Sequence, residues 1–215
     1  MTQELVLESP GSPEQAADGR PARVAQDRSV DLAAAERAAA DLLAALGITL
    51  DSEDLRQAPG RLARAYAELL ESEPFRLTTF ANDAGYDELV LARDVPFRTL
   101  CEHHLLPFSG VAHVGYIPGE RLAGLSKLAR IVGHFAARPQ TQERMTRQIA
   151  GFLEEQLDPL GAGVVLEAEH TCMTLRGVRS QDTTTVTSTL TGTLRADPTA
   201  RAEFLALAGV ARKRT

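Results

Sequence analysis

The chain has 215 residues, 44% of them hydrophobic, which is enough for one good core or for one core with an appendage. Its net charge of -6 argues against a general nucleic-acid or membrane-surface binder, so any bound anion must be met by a local basic cluster. No apolar run approaches the ~20 residues that span a bilayer and no hydrophobic signal segment opens the chain, a pattern that reads as a cytoplasmic protein.

Residues 1–30, with Gly11, Pro13, Gly19 and Pro21 among polar neighbours, lack periodic apolar spacing and read as a disordered tail outside the fold. The Ala-rich stretch from Asp31 to Leu46 carries Leu32, Leu42, Leu43 and Leu46 and stops at Gly47, which predicts a helix. Asp51 can cap a following turn, and Pro59 suits the start of a second helix that keeps apolar spacing through Leu62, Ala65, Tyr66, Leu69 and Leu70 to about Ser72. Residues 31–75 are therefore an N-terminal helical region. Glu88 to Leu100 and Val111 to Ile117 predict two strands joined as a hairpin. Two helices follow, one from Ser126 with Leu128, Ile131, Val132 and Phe135 on one face, ended by Arg138-Pro139, and a longer one over Gln140 to Leu157. Strands at Gly163 to Met173 and Thr183 to Leu194, then a short helix, close an 88–210 domain. The order is α+β: two strands, two helices, two strands, with helices before them.

The two cysteines each lie within two residues of a histidine, in Cys101-Glu102-His103-His104 and His170-Thr171-Cys172. A thiolate and an imidazole three positions apart can reach one ion, and a distant thiolate can add a third bond. Cys101, His104 and Cys172 would leave a fourth position for water, and two Cys with one His is a catalytic rather than a structural zinc set. A disulfide is disfavoured in a reducing cytosol, and two unrelated buried thiols remain the plainer alternative. Alternation along the third strand would point His170 and Cys172 to the same face. His103 and His170 are then spare imidazoles suited to acid and base steps or to outer-sphere support of the metal. Glu102 reads as a surface or outer-sphere carboxylate. Ser126, Lys127 and Arg130 open a helix where backbone N–H groups and two cations could meet a polyphosphate; Arg176 and Arg179, just after Cys172 in sequence, could add charge, and Arg61 is a weaker candidate. Glu143, beside Gln142, could accept from two donors of a guanine, although alone this is an ordinary polar helix start.

Assembled, these residues resemble GTP cyclohydrolase I from about Asp94 to Leu207. The matching runs include Cys101-Glu102-His103-His104, His113 to Pro118, Gly124-Leu125-Ser126-Lys127, Arg138-Pro139-Gln140, Gln142-Glu143-Arg144, Glu167 to Met173 and Arg176-Gly177-Val178. Ala58 stands where that family usually has Thr, and Thr183 where many members have Ser. The resemblance implies a tunnelling fold, an antiparallel four-stranded sheet with two helices on one face in the order ββααββ. It implies a homodecamer of two stacked pentamers with active sites between subunits, and it leaves room for allosteric control. It also implies a hydrolase acting on cyclic amidine C–N bonds, taking GTP and water to 7,8-dihydroneopterin triphosphate and formate at the head of tetrahydrofolate and pterin synthesis. Under it, Cys101, His104 and Cys172 hold zinc, His103 and His170 exchange protons, and Gln142 and Glu143 meet the guanine. Ser126, Lys127, Arg130, Arg176 and Arg61 would meet the triphosphate and ribose, and His134 would lie near the site. A catalytically silent nucleotide- or pterin-binding relative, and an enzyme acting on another purine or pterin, are the competing readings.

Overall fold

The computed structural model describes residues 3–6, 30–72 and 75–209. The chain divides into a helical unit, residues 8–71, and a sheet-bearing unit made of residues 1–7 and 72–215. Most of the expected tail lies outside the described residues; within it, Gln3–Val6 forms a short strand, β1.

In the helical unit, α1 (Leu32–Ala45) starts where the Asp31 carboxylate accepts from the Ala34 N–H. A single turn, α2 (Glu53–Arg56), is capped by Ser52 rather than by the expected Asp51, its hydroxyl accepting from Leu55 N–H at 3.2 Å. The third helix, α3 (Ala58–Leu70), carries Pro59 in its first turn, where a missing N–H costs nothing. It packs on α1 through small residues: a side chain at Gly60 would meet the Glu36 carboxylate at 3.1 Å.

The sheet-bearing unit continues with β2 (Arg76–Ala81), β3 (Val90–Cys101), β4 (Pro107–Ile117), β5 (Arg121–Ala123), α4 (Leu125–Ala136), β6 (Pro139–Gln140) and α5 (Gln142–Leu157). It ends with β7 (Gly161–His170), α6 (Thr171–Thr174), β8 (Thr185–Leu190), α7 (Gly192–Ala196) and α8 (Pro198–Ala208). The main sheet has the order β6-β3-β4-β7-β8, antiparallel except for β6, which runs parallel to the end of β3. A smaller sheet joins β1, β2 and β5.

Alternation decides which side chains are buried against which layer. Phe97, Phe108, Ala112, Val114, Tyr116, Val164, Leu166 and Ala168 form one face of the main sheet and pack with Leu128, Ile131 and Val132 of α4 and Met145, Ile149 and Leu153 of α5. The other face holds Val165, Leu190, Leu194 and Phe204. Gly115 and Gly163 sit opposite each other on neighbouring strands, and the Phe204 ring lies where their side chains would be, 3.2 and 2.9 Å from those positions. The pattern of β3 is interrupted between Ala92 and Val95 by a bulge in which Asp94 takes φ 56°. The buried His113 Nδ1 accepts the Asp94 N–H at 3.3 Å and so braces that bulge.

The expected third strand, Gly163 to Met173, is shorter at its far end. Its partner β4 begins at Pro107, which has no N–H to extend the ladder, and Thr171 instead donates its hydroxyl to the Pro107 carbonyl and starts the helical turn α6. His170 and Cys172 therefore do not share a strand face; Cys172 sits in the turn. The expected last strand, Thr183 to Leu194, likewise ends at Leu190, and Gly192, with φ 50°, turns the chain into α7. The short strands β2, β5 and β6 carry no pattern long enough to read from sequence.

Candidate active site and metal centre

Cys101 ends β3, and the chain folds back at once. The Leu105 N–H donates to the Cys101 carbonyl at 2.7 Å, the Cys101 N–H donates to Leu106 at 2.8 Å, and Leu105 takes φ 53°. From the other side, β6 pairs with Leu100 and Cys101, and the Glu102 N–H donates to the Gln140 carbonyl at 2.9 Å. The turn holding Cys101, His103 and His104 is thus pinned at both ends. The α6 turn brings Cys172 to it, so that Cys101, Cys172 and His170 offer three ligand atoms within 4.8 Å of one another. His104, the histidine expected as a ligand, lies beside Cys101, its Nδ1 3.6 Å from that sulfur, but among the described residues the histidine grouped with both thiols is His170. The His103 ring stands edge-on to His104 at 6.3 Å, and both side chains are exposed.

These spacings suit one metal ion. With metal–sulfur and metal–nitrogen bonds near 2.3 and 2.0 Å, two tetrahedral ligand atoms lie about 3.5–3.8 Å apart, the separation seen between Cys101 and His104. Burial, and then the neighbouring Cys101, push the Cys172 thiol up, while Arg176 pulls it part of the way back. Both cysteines are free thiols, so the disulfide alternative is absent.

His170 is held from two directions. Its ring stacks on Phe108 at 4.2 Å and 11°, and its Nε2 lies 2.7 Å from the Gln142 amide oxygen. Burial lowers its pKa, and Glu143 counteracts part of that shift. Gln142 was expected to face substrate, but its side chain turns inward, 2% exposed, and donates to the carbonyls of Leu166 and Thr185. The next residue, Glu143, is exposed and lines an open cavity of about 480 Å³ with Thr141, Arg144, Arg147 and the Thr187-Ser188-Thr189 run of β8. Arg144 carries no signature of a role in the sequence. It forks onto Glu102 at 2.6 Å, the Gln140 amide oxygen at 3.0 Å and the Pro139 carbonyl at 2.8 Å, tying the first turn of α5 to the cysteine turn.

Ser126, Lys127 and Arg130 occupy the first two turns of α4, with Ser126 and Arg130 exposed and the Lys127 ammonium 5.9 Å from the Phe75 ring centre. Among the described residues, no hydrogen bond or ion pair joins these three to the cysteine cluster. Arg176, exposed, reaches it through its field on Cys172. Arg61 lies in the helical unit, where its guanidinium donates to Gln57 and to the Asp54 carbonyl. His134 is buried beside Ser72, Phe75 and Phe135 instead of joining the cluster.

Residues 35–209 match the family model for GTP cyclohydrolase I. The chain belongs to the GTP cyclohydrolase I family. It is 50% identical over 165 residues to the GTP cyclohydrolase 1 of Aquifex aeolicus, covering 77% of this chain and 90% of that protein. To the GTP cyclohydrolase 1 of Streptomyces griseus it is 51% identical over 178 residues, 80% of this chain and 88% of that one. Among solved structures, an archaeosine synthase QueF-Like protein in its apo form overlaps 48% of this chain and 93% of its own at 13% identity, with a TM-score of 0.41. Family membership covers the cysteine turn, both helices over the sheet and the α6 turn alike. Among the described residues no helix is long and apolar enough to cross a membrane.

Proposed function

We propose that this chain is a zinc-dependent GTP cyclohydrolase I, converting GTP and water to 7,8-dihydroneopterin triphosphate and formate at the start of tetrahydrofolate and pterin synthesis. The observation that carries the reading is the meeting of Cys101, Cys172 and His170, with His104 beside Cys101, inside a chain of this family. Cys101, His104 and Cys172 would hold the ion. Bound there, zinc supplies a Lewis acid that makes water a nucleophile near neutral pH.

The remaining steps belong to side chains. Glu143, exposed at the mouth of its cavity, accepts from the N1–H and exocyclic amine of guanine and sets the purine's orientation. His103 and His170 carry protons as the imidazole ring of the purine opens, formate leaves and the pterin ring closes. Ser126, Lys127 and Arg130 at the start of α4, with Arg176 and Arg61, meet the triphosphate and ribose; a hydroxyl and convergent cations suit a triphosphate far better than a bare base. The exposed site is completed by neighbouring subunits in a decamer of two stacked pentamers, with residues 88–210 as a tunnelling-fold domain and residues 31–75 as a helical region before it. Free thiols given to a metal suit the reducing cytoplasm.

Purified, zinc-loaded protein incubated with GTP should release formate and give a pterin that fluoresces after oxidation, and guanosine should be a far poorer substrate. Nucleotide binding without formate would instead support a silent binding relative, and equal use of guanosine would point to another purine.

A further inference from the structure

We propose that Gln142 is a positioning residue rather than a substrate contact: it holds His170 as the tautomer protonated at Nε2, so that Nδ1 is the nitrogen left to the reaction. The assignment of a role to His170 rests on the function proposed above; the tautomer rests on hydrogen-bond stoichiometry alone.

The Gln142 side chain is 2% exposed, and its amide nitrogen lies 3.0 Å from two backbone carbonyls, Leu166 of β7 and Thr185 of β8. Carbonyl oxygens only accept, so both amide protons are consumed, and exchanging the amide nitrogen and oxygen would set an oxygen against two oxygens. The orientation of the amide is therefore fixed by its partners. Its oxygen, an acceptor, lies 2.7 Å from His170 Nε2, which must then carry a hydrogen. Turning the imidazole over would place a C–H against that oxygen, and the Phe108 ring stacked at 4.2 Å keeps the imidazole in its plane. The helical turn that carries Gln142 is held in place as well, because Thr146 donates to the Gln142 carbonyl at 2.7 Å and meets Thr187 of β8 at 2.7 Å.

Two consequences follow from this saturation. A proton taken at Nδ1 gives an imidazolium whose Nε2–H stays with Gln142, and its return restores the same tautomer, so the ring need not turn during a cycle. Gln142, with both amide protons committed and its side chain buried, offers a substrate no donor, which moves it from the binding set to the support of a catalytic histidine. Orientation of one imidazole nitrogen by a fixed partner on the other is worth about 10–100-fold in comparable sites.

The test is magic-angle-spinning 15N NMR on full-length, zinc-loaded protein labelled at its five histidines, with the His170 signals identified by their loss in His170→Asn. A wild-type His170 protonated at Nε2 and bare at Nδ1 is the expected result; protonation at Nδ1 with Nε2 bare overturns the proposal. Kinetics give the second arm. Gln142→Met keeps length and removes both amide donors and the carbonyl acceptor, leaving only a weakly accepting thioether, and should lower kcat for GTP about 10–100-fold with KM changed less than about 2-fold. A raised KM with kcat preserved would make Gln142 a substrate contact and overturn the proposal. If Gln142→Met does not fold, the wild-type spectrum still decides; if the wild type does not turn over GTP, the spectrum tests the tautomer while the proposed function falls.

Discussion

Removing the Arg144 fork should cost more than its partial exposure suggests. Its ion pair with Glu102 joins side chains that are 25% and 44% exposed, and such a pair alone contributes about 0.2–1 kcal/mol. The larger loss is at Gln140, which is completely buried: its amide nitrogen stays bonded to Phe135 and Gln148 in Arg144→Ala, but its oxygen loses the Arg144 Nε donor. A buried acceptor left empty costs about 1–3 kcal/mol. Some of this is returned, because Arg144 holds down the pKa of the half-buried Arg138 by repulsion, behind the larger effect of burial. A net destabilisation of about 2 kcal/mol corresponds to a fall in Tm of roughly 4–8 °C for a unit of this size, measured by thermal unfolding at fixed protein concentration. Because Glu102 adjoins Cys101 and its backbone is tied to β6, zinc retention against a chelator should weaken about 10-fold in the same variant. Arg144→Lys should recover only a minor part, since a single ammonium cannot satisfy Glu102, Gln140 and Pro139 together. A Tm change below about 1 °C in Arg144→Ala, or full recovery by Lys, would refute the reasoning.

Further outcomes follow from burial and close approach. Burial, then Arg138, lowers the His134 pKa, so folding favours the neutral ring. The stabilisation is therefore present above the ordinary histidine value of about 6.5 and is lost as pH falls through the depressed folded value. Urea midpoints taken from about pH 7 down to 5 should fall more steeply for wild type than for His134→Phe, and parallel curves would contradict the assignment. At Gly110 a Cβ would lie 1.9 Å from the Glu167 carbonyl oxygen, so Gly110→Ala must part β4 from β7 and should cost at least about 3 kcal/mol in denaturant titrations. Gly133→Ala, with open space around it in α4, should be neutral or stabilising by up to about 1 kcal/mol; equal effects at the two sites would refute the packing.

The long elements were legible because their periodicity is local: on the α4 face read from sequence, Leu128, Ile131 and Val132 are buried and Phe135 is partly so. The cysteine and histidine pairs were legible because ligand chemistry leaves a spacing in the chain. The turn at Cys172 was not, since it is set by Pro107 on another strand, some sixty residues earlier in sequence, lacking an N–H where the ladder would continue. The inward turn of Gln142 and the fork of Arg144 leave no signature in sequence for the same reason. Their partners are mostly backbone carbonyls and a buried amide brought together by β6, β7 and β8, and carbonyls leave no signature in sequence. The small strands β2, β5 and β6 have six, three and two residues and take their form from the neighbours they pair with.

The central claim, that Cys101 and Cys172 would hold a metal at a site where GTP loses C8 as formate, is tested most directly with GTP carrying a radioactive carbon at C8. Zinc-loaded protein should transfer that carbon to formate, one formate for each GTP consumed. Protein stripped of metal, and the Cys172→Ala variant, should release none, with zinc restoring the former alone. Label that stays in the purine with metal-replete enzyme, or full release from protein shown to hold no metal, would contradict the account.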